Sequence, residues 1–359
     1  MINVTKTYLP ERKKLDRYID RIYKSGWITN NGELLIELEK RLAAYLGVEN
    51  LVLISNGTLA LQIAYRALGI KGDVVTTPFS FVATTSSLVW ENHKPVFADI
   101  NAATFNIDPQ LVSNAINGGT GAILPVHVFG NGCEVEEIEK VASANNLKVV
   151  YDAAHAFGVK YKGKSILLHG DASVLSFHAT KIFHTIEGGA IVFREKKDAD
   201  AARLLINFGI SGYDKIDTLG INAKMNEFQA AMGLCILDDI ETIIAQRKEI
   251  WERYSGALSD TGKVAMQDRN ADCSFNYTYF PVLFGAEKNL LECKHKMESL
   301  GIFPRRYFYP SLNTLTYLND RVKCAISEQT ASRILCLPIF PGLDKGAQEK
   351  IIRIINETA

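Results

Sequence analysis

The first two-thirds of the chain alternates between short apolar runs and helix-like segments, and this alternation limits the fold more than any other feature. An apolar run at 51–54 precedes a helical pattern at 58–68. A run at 74–77 precedes a pattern at 81–89, and a run at 122–126 precedes one at 134–145. A further run at 148–151 comes next. Strand, helix and strand in succession can share a sheet only through crossovers, so the pattern predicts parallel strands. The runs are apolar throughout, as in strands covered on both faces. The expected fold class is α/β, with a mostly parallel central sheet flanked by helices.

The stretch VLSFHATKIFHTIEGGAIVF, 174–193, then sets Lys181 between two strand-like runs. Around Asn226 a long helical pattern begins, with apolar positions recurring every three and four residues. Beyond it FNYTYFPVLF reads as a strand, LLECKHKMESLGI as a helix and EKIIRIINETA as a terminal helix. A chain of 359 residues can hold a large domain and a smaller one. The expected division is a large domain with the N-terminal segment at 1–240 and a small α+β domain at 241–359.

Composition excludes several functions. Lys plus Arg and Asp plus Glu number 40 each, so there is no net basic footprint for nucleic acid or an anionic membrane. No run of about 18 apolar residues suggests a membrane span, and MINVTKTYLPERKKLDRY lacks the apolar core of a signal peptide. The six cysteines are scattered without a Cys-x-x-Cys pair, which argues against disulfides and structural zinc. The expectation is a cytoplasmic protein with free thiols and no metal.

Three short constellations carry chemistry. SNGTLAL, 55–61, follows a strand-like run and opens a helix. Ser55, Asn56 or Thr58 can cap that helix, Gly57 lets a ligand approach, and the free N–H groups of a helix start suit a phosphate. Taken alone, the same junction reads more readily as a plain cap and turn. In YDAAHAFG, Asp152 ends a strand-like run and His155 lies three residues on. Ligands of open α/β sheets sit beyond such strand ends, although an aspartate there can also be a simple helix cap. Lys181 reads either as a surface lysine on a loop or as an amine desolvated into a nucleophile. Ser176, His178 and the turn Glu187-Gly188-Gly189 surround it with polar and close-approach positions. A phosphate-binding helix start, a strand-end aspartate and a downstream lysine are together what pyridoxal phosphate (PLP) requires. The lysine holds its aldehyde as a Schiff base, and the aspartate keeps its ring nitrogen protonated.

The blocks GWITNNGELLIELEKRLAAYLG, SNGTLAL, TPFSFVAT, FADI, YDAAHAFG, SFHATKIFHTIEGG, INAKMNEFQAAMGL and RRYFYP resemble the DegT-type sugar aminotransferases in order and over nearly the whole length. The resemblance implies the large domain of fold-type I PLP enzymes. It implies Lys181 as the cofactor-bearing lysine and proton shuttle, Asp152 on the pyridine nitrogen and His155 near the phenolic oxygen. Phe81 would stack on the ring, Gly57, Thr58 and Ser176 would hold the phosphate, and His178 would also bind the cofactor. Asn222 would reach the cofactor phosphate of a neighbouring subunit, which implies a homodimer with shared active sites. Lys224 stands where many relatives have Arg, which keeps the charge without its fork.

For the nucleotide sugar, Trp27, Thr29, Asn30, Lys224, Arg305 and Tyr309 combine aromatic and polar or cationic groups. Each also reads as an ordinary loop residue. Sugar dehydratases of this fold carry His at the position of Lys181, so the lysine implies transamination. SFHATK followed by EGG is similar to members acting at C4. It implies L-glutamate as donor, 2-oxoglutarate as by-product and dTDP-4-keto-6-deoxyglucose as acceptor. The rival readings are a C3 or UDP-sugar aminotransferase, a non-catalytic sensor of the same fold, and a lyase using Lys181 without PLP.

Overall fold

The computed structural model describes residues 1–259, 261–318 and 322–358; Ala359, the last residue of the expected terminal helix, lies outside them. The central sheet has seven strands: β1 (Asn50–Ile54), β2 (Asp73–Thr76), β3 (Pro95–Phe97), β4 (Thr120–Leu124), β5 (Lys148–Asp152), β6 (Ala172–Ser176) and β7 (Gly189–Phe193). Their order across the sheet is β3-β2-β4-β5-β6-β7-β1. The pairs β2–β3, β2–β4, β4–β5 and β5–β6 are parallel. Only β7 is reversed, running antiparallel to β6 and β1. The α/β expectation therefore holds, and the one reversal has a local cause. The 12 residues from 177 to 188 contain no helix to carry a crossover, so the chain turns back on itself.

Both faces of the sheet are covered. Leu51, Leu53, Val149, Tyr151 and Val192 pack on one side with Leu38, Leu42 and Leu234. Val52, Ile54, Val150, Val174 and Ile191 pack on the other with Ala60, Ile63 and Ala64. Neighbours along a strand point to opposite faces, so two covered faces demand an unbroken apolar run. The helices that matter for the site are α1 (Arg12–Ser25), α2 (Glu33–Leu46), α3 (Gly57–Ala67), α4 (Val82–Trp90) and α5 (Glu227–Leu258).

Helix α5 begins at a capping box. The Asn226 side chain accepts the Gln229 N–H, and the Gln229 side chain accepts the Asn226 N–H. The helix then runs for 32 residues. Ile240 and Ile243 belong to the core under the large sheet, whereas Ile250, Tyr254 and Leu258 belong to a second core. The helix thus leaves one core and enters the other between 243 and 250. The second core lies beneath a three-stranded antiparallel sheet of β8 (Val264–Met266), β9 (Pro281–Phe284) and β10 (Ile334–Cys336). Helices α6 (Glu287–Ser299) and α7 (Lys345–Thr358) close it. The chain start joins this smaller layer, because Ile2–Asn3 pairs in parallel with Ile302–Phe303.

One expected strand is shorter than its pattern. Of FNYTYFPVLF only Pro281–Phe284 enters the sheet. Tyr277 and Thr278 instead give backbone groups to side chains, and Tyr277 takes φ 57°. Among the described residues no helix is long and apolar enough to cross a membrane, and no cluster of three metal-ligating side chains forms.

Candidate active site

The carboxyl ends of β5 and β6 and the start of α3 open into one cavity of about 620 Å³. The register of three strands aligns them. Ser176 ends β6 opposite Gly189, and Gly189 lies opposite Ile54, the last residue of β1. The turn after β1 therefore crosses directly over Ser176 and Gly189. A Cβ on Gly189 would lie 2.8 Å from the Asn56 carbonyl carbon, and one on Gly57 would lie 3.0 Å from the Ser176 Cβ. Gly189 is required by this crossing, and Gly57 sits at its tight limit. Asn56 caps α3 by accepting the Leu59 N–H at 2.9 Å. The N–H groups of Gly57 and Thr58 come too early in the helix for an intrahelical acceptor. With the Ser176 hydroxyl they line a corner of the cavity suited to an anion.

Asp152 is the last residue of β5 and is buried. Thr84 Oγ1 donates to its Oδ2 at 2.7 Å, and the Ala154 N–H donates to its Oδ1 at 3.1 Å. Ser80 Oγ lies 2.7 Å from Thr84 Oγ1, so the carboxylate is held by a short hydroxyl chain from the start of α4. Burial raises the Asp152 carboxyl above its ordinary pKa, and the Thr84 and Ala154 bonds and Lys181 oppose the rise. A cationic ligand in the cavity would settle this charge.

Lys181 sits on the β6–β7 loop, its N–H bonded to the His178 carbonyl at 2.9 Å. Among the described residues its amine makes no ion pair. Burial lowers it to about 8, against the opposing pull of Asp152. The Tyr279 ring centre lies 5.9 Å from the amine. His155 is buried and receives the Phe129 N–H at Nδ1, 3.3 Å away. That donor leaves the ring's own proton on Nε2. Burial, and then Lys181, push the imidazole well below its ordinary pKa, so it is a neutral donor. Its ring is parallel to those of Phe129 and Phe308, within 4° of each.

Phe81, His178 and Arg305 line the same cavity. Phe81 is half exposed just before α4. His178 bonds Thr180 Oγ1 at 2.8 Å and faces Glu187 at 3.5 Å. Arg305 is tied to Cys336 through the backbone, with its guanidinium 4.6 Å from the Tyr307 ring. The remaining expected residues lie outside the cavity lining. Trp27, Thr29 and Asn30 are exposed on the turn before α2, with the Trp27 indole N–H 3.4 Å from the Asn30 carbonyl. Asn222 is exposed and bridged to Asn207. The Lys224 amine bonds Asn207 Oδ1 at 2.9 Å. Tyr309 is half exposed beneath the Arg306 guanidinium at 3.6 Å.

Sequence reasoning missed Thr84 and Tyr279. Thr84 falls in an apolar helical pattern where a hydroxyl carries no signal. Tyr279 falls in the run that reads as a strand.

The description "DegT/DnrJ/EryC1/StrS aminotransferase family" matches residues 10–356. The chain belongs to this family. It is 42% identical to a dTDP-4-amino-4,6-dideoxy-D-glucose transaminase of Shigella dysenteriae, across 99% of this chain and 98% of that protein. It is 38% identical to a protein of the same name from Escherichia coli, over 99% and 98%. A crystal structure of DesI in the presence of its TDP-sugar product superposes with a TM-score of 0.94 at 32% identity, covering 99% of this chain and 92% of that one.

The cofactor implied for this aminotransferase fits the donors present. The glycine-lined start of α3 leaves room and N–H groups for the phosphate of PLP. Asp152 offers a buried negative charge, and His155 a neutral N–H. Lys181 offers an amine whose pKa burial lowers to about 8, so the unprotonated form that attacks an aldehyde is far more accessible than for an ordinary lysine.

Proposed function

We propose that this aminotransferase moves the amino group of L-glutamate to the C4 keto group of dTDP-4-keto-6-deoxyglucose, forming dTDP-4-amino-4,6-dideoxyglucose and 2-oxoglutarate. The observation that carries the chemistry is the meeting of Lys181, Asp152 and the start of α3 in one cavity. The substrate assignment is supported by the 42% and 38% identities to transaminases named for that product.

When bound, PLP supplies an aldehyde for amines to condense with and a ring that draws electrons from the reacting carbon. This chain's residues do the rest. Gly57, Thr58 and Ser176 bind the phosphate through N–H and hydroxyl groups. Asp152 holds a proton on the ring nitrogen by its negative charge, and Thr84 holds Asp152. His155 donates Nε2–H to the phenolic oxygen, and Phe81 covers the ring face. The Lys181 amine takes the α-proton of glutamate and later delivers a proton to C4 of the sugar. A pKa near 8 suits both acts, because the group must accept and release a proton at similar cost. His178 and Arg305 receive the anionic parts of the two substrates at the cavity mouth.

The active unit is a homodimer. Phe208, Ile210, Tyr213, Ile216, Leu219 and Ile221 are exposed on a segment beside Asn222 and Lys224, an apolar face of the kind a second copy covers. In that arrangement Asn222 reaches the cofactor phosphate of the other copy. Lys224, Trp27, Thr29, Asn30 and Tyr309 contribute to its sugar-nucleotide site. The reaction belongs to the supply of deoxyamino sugars for surface glycans such as O-antigen, carried out in the cytoplasm.

The purified protein is expected to bind PLP with a violet absorption band that L-glutamate abolishes. A panel of dTDP-, UDP- and GDP-keto sugars, with products read by mass and NMR, should give the 4-amino sugar with the dTDP substrate. Failure to take up PLP defeats the enzyme assignment. Uptake with a different preferred sugar defeats only the substrate.

A further inference from the structure

Residues 276–279 form a strap beside the cavity, tied by side chains rather than by a neighbouring strand. Asn276 donates from Nδ2 to the carbonyls of His155 at 2.8 Å and Phe157 at 3.0 Å, and accepts the Thr278 N–H at 3.2 Å. Arg247, on α5, is 2% exposed. Its Nη1 donates to the carbonyl of Thr278 at 3.1 Å and reaches that of Tyr277 at 3.5 Å. Among the described residues Arg247 has no carboxylate partner, and its Nε finds no acceptor. A guanidinium is costly to bury, and two carbonyls compensate a full charge poorly. Replacing buried charged groups by well-packed apolar ones is often neutral or stabilising, so burial of this arginine is weak evidence for a purely structural role.

The strap ends in Tyr279, which lines the cavity. Its ring lies 5.9 Å from the Lys181 amine and 4.8 Å from the His155 ring. We propose that Arg247 and Asn276 are positioning residues of the active site, clamping the strap so that the Tyr279 ring stands against Lys181 and His155. An aromatic face beside an amine favours its protonated form and restricts where the side chain swings. A lysine that carries protons between two substrates depends on that restriction, because small misplacements slow transfer steeply. Arg247 lies on α5 between Ile243 of one core and Ile250 of the other. The ring's placement is thereby tied to how the two units meet.

The test compares wild-type holoenzyme with Arg247→Met, Arg247→Lys, Tyr279→Leu and the Met/Leu double variant. The readouts are kcat, KM for each substrate, visible circular dichroism of the bound cofactor and the thermal midpoint. Arg247→Met and Tyr279→Leu are each expected to lower kcat by about tenfold to a hundredfold, with KM changed by less than about threefold. Both should alter the visible dichroism in the same sense, and the double variant should be no worse than the worse single one. Arg247→Lys should recover part of the loss, since an ammonium keeps a donor for these carbonyls but not the planar, rigid guanidinium that sets its position. If Arg247→Met lowers only the thermal midpoint, leaving dichroism and kcat as in the wild type, the proposal is overturned. Additive losses overturn it as well. Should Arg247→Met fail to fold, Arg247→Lys and Asn276→Ala are each combined with Tyr279→Leu, and the same additivity criterion decides. The inference rests on the cofactor reading above. A wild-type protein that never develops the cofactor band defeats that reading, whereas a normal wild type with an indistinguishable Arg247→Met defeats only this one.

Discussion

The cavity floor and the exposed face around Asn222 are built in opposite ways. On the floor Asp152, His155 and Lys181 are enclosed and hydrogen-bonded or packed by their own chain. On the face Tyr213 is fully exposed, Ile216 is 72% exposed, and Asn222 is exposed and bridged to Asn207. The contrast separates two tasks. One chain holds the groups for proton transfer by itself, whereas of the groups expected to recognise the sugar nucleotide only Arg305 lines the same cavity.

The largest effect should come from the floor. Lys181→Ala is expected to lower turnover by about a thousandfold or more, the scale of losing a positioned proton carrier. The thermal midpoint should change little, because the amine makes no ion pair among the described residues. A product assay with L-glutamate measures the loss. A companion experiment uses pH. The wild-type amine sits at about 8, below its ordinary value, so it is protonated and unreactive below that pH. Apoprotein mixed with PLP should therefore develop its band faster as pH rises, levelling off above about 8. A plateau reached only near the ordinary lysine value would contradict the burial argument.

Asp152→Asn comes next. It keeps the shape and removes the charge, so kcat/KM should fall roughly a hundredfold, in line with about 3 kcal/mol for losing one partner of a buried charge pair. PLP affinity, followed by equilibrium dialysis, should fall with it. If Asp152→Asn bound and turned over as the wild type does, the carboxylate would have no part in holding the ring.

The exposed face should respond more weakly and in a different manner. Ile216→Asp places a charge in the proposed interface. It should shift the sedimentation coefficient toward the monomer and make specific activity depend on protein concentration, with about tenfold loss when dilute. Asn222→Ala should leave the dimer intact and raise PLP dissociation by about tenfold, as for one hydrogen bond to a charged group at about 1.5 kcal/mol. A monomer that retains full activity would remove the need for a second copy.

The same contrast explains what was legible in the sequence. The sheet could be read because two covered faces force unbroken apolar runs such as 51–54 and 148–151. The turn at Gly57, Asp152 and Lys181 could be read because each ends or closely follows such a run, on the side of the sheet where ligands of open α/β folds sit. Tyr279 and Arg247 were hidden because their roles depend on a tertiary override. Arg247 sits in a regular helical pattern, and the apolar and aromatic residues of 275–284 suggest a strand that Asn276 and Arg247 prevent over 276–278. The direction of β7 was hidden too, since an apolar run does not record which way its strand points.

Thr84 gives the smallest effect and the finest test of the floor. Thr84→Val keeps the volume but removes the hydroxyl that donates to Asp152 at 2.7 Å. The Ala154 N–H remains, so the carboxylate keeps one donor and kcat should fall by only about threefold to tenfold, the worth of one hydrogen bond to a charged group at about 1.5 kcal/mol or less. The more telling change is in pH dependence. Burial already raises the Asp152 pKa, and the Thr84 bond works against that rise. Removing the bond raises the pKa further, so the carboxylate takes up its proton at a higher pH as solutions become acid. PLP affinity needs the charged form, and its acid-side decline should therefore begin at a higher pH in Thr84→Val than in the wild type. Serine at the same position restores the donor and should return the decline toward its original pH. If the valine variant lost activity with an unchanged acid limb, Thr84 would be supporting α4 rather than the charge of Asp152.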